Sequence, residues 1–302
     1  MTKKTRAEAA LFATTFIWGS TFVVQKIGLH DISPLLLIAC RFIVATLVFL
    51  LLFWRRIFPL HSPSVVKGCL LGLFLFLGFA AQTIGLNSTT ASKSAFITSM
   101  MVIFVPLLQL IVERRSPSLG NLLGVLAVSG GLWLLTSPSG SSFTVGDALT
   151  LLSAVLFGVY IVYLDVVSQE MTTLQLAFLQ VAVVTACSCA SVLLFEQISF
   201  APTQQLTLSL LYLAFLATAF TTYIQTRFQK DTTPTRAVII FSIEPVIAAA
   251  LAYVVLDERL GLLGLLGGAL ILAGVLLSEL SDGIPLLSRT LSFPAQETDV
   301  SP

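Results

Sequence analysis

Ten stretches of about twenty predominantly apolar residues follow one another along this chain, with few charges and most of those at their ends. They run over 8–27, 34–54, 67–86, 93–112, 118–136, 147–166, 173–195, 207–227, 235–256 and 261–280. Each is long enough to cross the hydrocarbon core of a bilayer. Lipid offers no partner for backbone N–H and C=O groups, so each run must satisfy them internally, as a helix. A membrane β-barrel needs short alternating segments instead, and these runs are continuous. Composition agrees: 56% of the residues are hydrophobic and 10% charged, against about 25% charged in ordinary soluble domains. The expected class is an all-α integral membrane protein. A formal net charge of +1 provides no basic face, so no nucleic-acid partner is expected.

Lysine and arginine set the orientation. With the N-terminus inside, the inner connections hold Lys3, Lys4, Arg6, Arg55, Arg56, Lys67, Arg114, Arg115, Arg227, Lys230, Arg236 and Arg289. The outer ones hold Lys93 and Arg259, with Lys26 at an outer helix end. This positive-inside bias predicts a cytoplasmic-membrane protein with both termini in the cytoplasm. The basic N-terminus and the run from Ala9 to Val24 read as a retained first span, because the run is long for a signal peptide and no clear cleavage site follows. Residues 283–302 read as a cytoplasmic tail.

The chain repeats itself. Phe16-Ile17-Trp18-Gly19 aligns with Val155-Leu156-Phe157-Gly158, and His30–Ser33 with Gln169–Thr172, both at an offset of 139. Gln82-Thr83 aligns with Gln225-Thr226, Thr89-Thr90 with Thr232-Thr233, and Gly124 and Gly131 with Gly267 and Gly274, at 143. Glu113-Arg114 meets Glu258-Arg259 at 145. Each copy, 8–136 and 147–280, therefore holds five spans. An odd number forces the second copy to cross the other way, giving two inverted five-helix repeats, a recurrent transporter design.

In the order and spacing of several motifs the chain resembles the drug/metabolite transporter superfamily, EamA type. The matching residues are Phe16-Ile17-Trp18-Gly19-Ser20, Arg41-Phe42, Ala81-Gln82-Thr83 through Ser92, Ala95-Phe96-Ile97-Thr98, Val105-Pro106, Glu244-Pro245 and Glu258-Arg259-Leu260. The resemblance spans about 8–280. It implies a ten-helix carrier of small molecules, with amino acids or related solutes the first expectation. It also implies that spans five and ten support the bundle without lining the path.

An acid at the centre of a span costs about 2.5–3.5 kcal/mol on insertion scales. Glu244 lies about 15 Å into its span. It either faces a cavity, as a substrate-binding or proton-coupling group, or shapes a bend together with Pro245. Arg41 lies about 10 Å into its span. It either binds an anion or serves as a gate, or pairs with Asp31 or a neighbouring connection. Gln82 and Gln225 either glue helices together or line a cavity at the repeat axis. Trp18 and Tyr160 are candidate aromatic walls for substrate. Tyr163 and Tyr223 are weaker candidates, because aromatics near helix ends usually anchor to the interface. Gly120-x-x-x-Gly124 and Gly264-x-x-x-Gly268 are packing signals, compatible with a monomer or a homodimer. Glu113, Asp257 and Glu258 read as interface ion pairs or caps.

No P-loop motif occurs, so transport must be gradient-driven or powered by a separate subunit. Cys40, Cys69, Cys187 and Cys189 lie in apolar runs, and the histidines are His30 and His61, in connections. No metal, cofactor or catalytic set is expected, and an intramembrane enzyme has no sequence support. A channel or a lipid-moving protein remains the alternative to a carrier. The expected partners are a small-molecule substrate and the lipid bilayer.

Overall fold

A computed structural model describes residues 2–60, 64–113, 119–136 and 143–280. The expected tail at 283–302, the turn at 137–142, His61 and the Arg114-Arg115 pair lie outside the described residues.

The chain is all-α. Its elements are α1 (Lys3–Gly28), α2 (Pro34–Ile57), α3 (Val65–Asn87), α4 (Ala91–Thr98), α5 (Met101–Glu113) and α6 (Leu119–Thr136). They continue with α7 (Val145–Val167), α8 (Thr173–Phe195), α9 (Gln204–Leu211), α10 (Thr221–Phe228), α11 (Pro234–Phe241), α12 (Glu244–Leu256) and α13 (Leu262–Leu280). A π-helical stretch, Tyr212–Phe220, joins α9 to α10. Among the described residues, eight rods are long and apolar enough to cross a membrane, the paired short helices counting as one rod each. The two remaining rods are α6 and α13. Side chains such as Leu51, Leu193, Leu194 and Phe195 stand exposed on the outside of the bundle. An apolar exterior of this kind suits lipid and not water.

Threonine opens six of the helices. Thr2, Thr90, Thr144, Thr172, Thr203 and Thr233 each accept the N–H of the third helical residue, which satisfies a donor that has no partner within the helix. Pro34 and Pro234 occupy first-turn positions of α2 and α11, where their missing N–H costs nothing.

Rods four and nine are each interrupted near the middle, between Thr98 and Met101 and between Phe241 and Glu244. These breaks lie 143 residues apart, at the repeat offset. In both, a serine turns its hydroxyl back onto the carbonyl three residues earlier: Ser99 onto Phe96 at 2.7 Å, and Ser242 onto Ile239 at 2.5 Å. Such back-bonding bends helices. At the second break Pro245 also removes a backbone donor. The bend expected at Glu244-Pro245 is present, and its partner at Ser99 forms without a proline at the matching place, which is Val102.

Contacts between the halves follow the repeat. Thr46 and Thr185, counterparts 139 apart, meet hydroxyl to hydroxyl at 2.7 Å. Asp31 takes the Thr203 hydroxyl at 2.5 Å and Glu170 takes that of Ser64 at 2.7 Å; both acids and both hydroxyls are 139 apart. Glycines set the approach of α6 to α13. A methyl on Gly131 would lie 2.7 Å from the Gly267 carbonyl, and one on Gly274 would lie 2.9 Å from that of Gly124. Thus Gly124, Gly131, Gly267 and Gly274 form this crossing, while Gly268 packs on Phe96.

Candidate functional site

A cavity lies among rods from both halves. Trp18, Thr21, Arg41, Gln82, Thr98 and Met101 line it from the first half, and Phe157, Tyr160, Gln225 and Glu244 from the second, with Leu75, Phe79 and Ile161 completing the wall. Four of these pairs are repeat counterparts: Trp18 with Phe157, Thr21 with Tyr160, Gln82 with Gln225 and Met101 with Glu244. All six residues singled out in the sequence (Trp18, Arg41, Gln82, Tyr160, Gln225 and Glu244) line this one cavity.

Glu244 reaches it because the chain breaks there. Glu244 opens α12, so its carboxylate stands at a helix N-terminus, where the backbone dipole favours negative charge. Among the described residues no hydrogen bond or ion pair engages that carboxylate. The matching position at the first break is the apolar Met101.

Arg41 is buried, at 1% exposure. Its Nε donates to the Thr218 hydroxyl and its Nη2 to the Ala217 carbonyl at 3.1 Å. Both partners belong to the π-helical stretch, where the Thr218 hydroxyl in turn donates to the Leu213 carbonyl, five residues back. The wide turn presents a hydroxyl and a carbonyl together to the guanidinium, and π-helical turns often occur at functional sites. The guanidinium also lies over Phe79, 4.7 Å from the ring centroid, and Phe42 at 5.3 Å. Nη1 has no partner. The alternative pairing with Asp31 does not form: Asp31 lies in a connection, bonded to Thr203 and His30.

The amides do both things expected of them. Gln82 donates to the Thr98 hydroxyl at 3.3 Å, which ties rod three to rod four beside the break. The Tyr160 hydroxyl donates to Gln180 Oε1 at 2.6 Å and lies 3.2 Å from Gln225 Oε1. Gln225 donates to Gln229, and Gln229 to the Ile161 carbonyl. Trp18 is held by its indole N–H on the Thr221 hydroxyl at 3.1 Å and by an edge contact with Phe241. Tyr163 packs on Phe74, and neither Tyr163 nor Tyr223 lines the cavity. Among the described residues no group of three His, Cys, Asp or Glu side chains is placed to hold a metal ion.

Sequence reasoning missed a polar cluster away from the cavity. Lys93 pairs with buried Asp147 at 3.0 Å, and Asp147 also takes the Thr89 hydroxyl and the Thr144 N–H. Lys26 Nζ donates to the carbonyls of Leu86 and Thr89. Glu258, read from the sequence as an ion pair or a cap, accepts from the N–H groups of Ala91 and Ser92 and so caps α4. The Thr144-x-x-Asp147 capping box was the readable signal.

The EamA-like transporter family model matches the chain twice, over 5–137 and again over 144–280. The chain belongs to the EamA-like transporter family. Its two matches coincide with the two halves that share the cavity. A relative from Archaeoglobus fulgidus, named an uncharacterized transporter, is 33% identical over 92% of this chain and 87% of its own length. More local matches are a probable amino-acid metabolite efflux pump of Escherichia coli K12, 32% identical over 29% of this chain and 31% of that one, and an S-adenosylmethionine/S-adenosylhomocysteine transporter of Chlamydia muridarum, 34% identical over 29% and 28%. One solved crystal structure superposes with a TM-score of 0.70 at 18% identity, covering 92% of this chain and 97% of that one. That likeness is one of fold. The chain is thus a multi-pass membrane transporter of small solutes by family.

Proposed function

We propose that this protein is a secondary carrier that moves a small zwitterionic or otherwise polar metabolite by alternating access, amino acids and related solutes being the first class to test. In this reading ten spans form two inverted repeats, 8–136 and 147–280. Both termini, including the tail at 283–302, face the cytoplasm from a cytoplasmic membrane. The observation that carries the reading is the cavity lined by counterpart residues of both halves. A site on the axis between inverted repeats keeps the same neighbours when the repeats exchange shapes, so it opens to either side without being rebuilt.

Opposite charges on the lining support the substrate class. Among the described residues Arg41 keeps Nη1 unpaired and Glu244 an unengaged carboxylate. An amino acid offers a carboxylate to the first and an ammonium to the second, with Trp18, Phe79, Phe157 and Tyr160 as walls for its side chain. The names of two of the relatives speak of an amino-acid metabolite and of S-adenosylmethionine; amino acids and S-adenosylmethionine both carry these two groups. Glu244 is also the coupling group of choice if protons drive the cycle.

The test is ligand-dependent thermal stability of the purified protein across amino acids, amines, nucleosides, sugars and organic acids, followed by counterflow in proteoliposomes. A ligand at about 100 Kd stabilises by about 2.7 kcal/mol. The expected result is a selective shift with amino-acid-like ligands, reduced in Glu244→Gln, and saturable counterflow of the same ligand. Flux without saturation or counterflow overturns the carrier reading in favour of a channel. Unchanged pH dependence of transport in Glu244→Gln overturns its coupling role.

A further inference from the structure

Two ion pairs outside the cavity are related by the repeat. Asp147 follows Glu8 by 139 residues and Arg236 follows Lys93 by 143, the two offsets already established for those parts of the chain. Lys93 joins Asp147 at 3.0 Å, and Arg236 joins Glu8 at 3.2 Å. The same contact is therefore made twice, once between α4 and α7 and once between α11 and α1. The two stand at opposite ends of the bundle. Glu8 lies near the start of α1. Lys26, 18 residues later and so about 27 Å along that helix, bonds the Leu86 and Thr89 carbonyls beside Asp147.

These pairs are alike in sequence and unlike in state. The side chains of Lys93 and Asp147 are 9% and 0% exposed, and those of Arg236 and Glu8 are 50% and 31%. Asp147 has further donors in Thr89 at 2.5 Å and Thr144 at 2.9 Å. Beside it α3 and α7 cross backbone to backbone: a methyl on Gly146 would lie 2.6 Å from the Gly85 carbonyl. At the other end the matching residues are Ala7 and Phe228, which bring side chains to the place where the first end has none.

We propose that Lys93–Asp147 and Glu8–Arg236 are the latches of the two gates, one closing each end of the transport path, and that the conformation seen here is shut at the Lys93–Asp147 end. The assignment rests on the carrier reading above. Equivalent contacts that differ in burial are what one half-cycle leaves when repeats exchange shapes. Separating the buried pair strands two charges in a poorly solvating place, which is strongly unfavourable. That latch therefore opens only when substrate binding or closure of the other end offsets the loss.

The test measures access to the cavity from each side. In a background with the four native cysteines replaced, Thr21→Cys is labelled with a membrane-impermeant maleimide in intact cells and in inverted vesicles. Asp147→Asn is expected to raise labelling from the Lys93–Asp147 side by about fivefold or more and to lower it from the other. Glu8→Gln is expected to shift it the opposite way. If Asp147→Asn does not fold, Lys93→Gln takes its place. Unchanged labelling in a folded, monodisperse variant, or the same direction of shift for Glu8→Gln and Asp147→Asn, overturns the latches. Counterflow by the parent chain is read separately. Its absence sinks the carrier reading, while normal counterflow with unmoved labelling sinks the latches alone.

Discussion

Adjacent glycines in α6 are expected to respond to the same substitution with opposite signs. Gly130 and Gly131 are both helical, so Gly→Ala at either position gains the same helix-propensity term, about 1 kcal/mol. That term cancels in a comparison and leaves the surroundings. Among the described residues a methyl on Gly130 meets only Leu270 Cδ2, at 3.7 Å, an ordinary contact. A methyl on Gly131 would lie 2.7 Å from the Gly267 carbonyl oxygen and 2.8 Å from both the N and Cγ1 of Ile271. Two of those three atoms are backbone and cannot turn aside, so α6 and α13 must separate by several tenths of an ångström along their crossing. Overpacking of this kind costs about 1–3 kcal/mol. Gly130→Ala should therefore be more stable than Gly131→Ala by that amount. At about 2 °C per kcal/mol for a chain of this size, the melting temperatures should differ by about 2–6 °C. The assay is thermal unfolding of the two purified variants beside the parent, in one detergent. Equal melting temperatures, or a more stable Gly131→Ala, would refute the backbone crossing of α6 on α13.

Two further outcomes are expected. Tyr160→Phe removes the donor to Gln180 Oε1, whose residue is fully buried; an acceptor stranded in this way costs about 1–3 kcal/mol, so thermal unfolding should move down by a few degrees, and an unchanged transition would show that the hydroxyl is not the partner of Gln180. Glu170 is held below its ordinary value of 4.5 by the Lys67 ammonium and then the Ser64 hydroxyl, and Asp31 below 3.8 by the Thr203 hydroxyl and then His30. A lowered folded pKa stabilises above the ordinary value and is lost as pH falls through the lowered one, so the parent's melting temperature should decline below about pH 4 and decline less in Glu170→Gln with Asp31→Asn; parallel curves from pH 7 to 3 would contradict this.

Much of the architecture was legible before any coordinates. The apolar runs coincide with helical rods to within a few residues, because a twenty-residue apolar run and the backbone's need for partners are both local facts. The offsets of 139 and 143 pair residues of the two halves, and one such pair, Thr46 and Thr185, is in contact. Glu244, Gln82, Gln225, Arg41, Trp18 and Tyr160 stood out because polar or aromatic groups deep in apolar spans are costly unless something engages them. The break at Glu244 was visible in its proline, whereas the one at Ser99 was hidden, because a serine bending a helix looks in sequence like any small residue in a span.

Sequence alone thus determined the helical class, the duplication and the short roster of buried polar residues, since each depends only on neighbours along the chain. Tertiary structure decided how each rod is turned. In lipid both faces of a span are apolar, so periodicity does not say which face looks inward. Whether Arg41 meets Asp31 or the π-helical turn, whether the glutamines share a cavity, and that Lys93 reaches Asp147 all depend on that rotation and on the spacing between rods. Close contacts between residues far apart in the chain fix both.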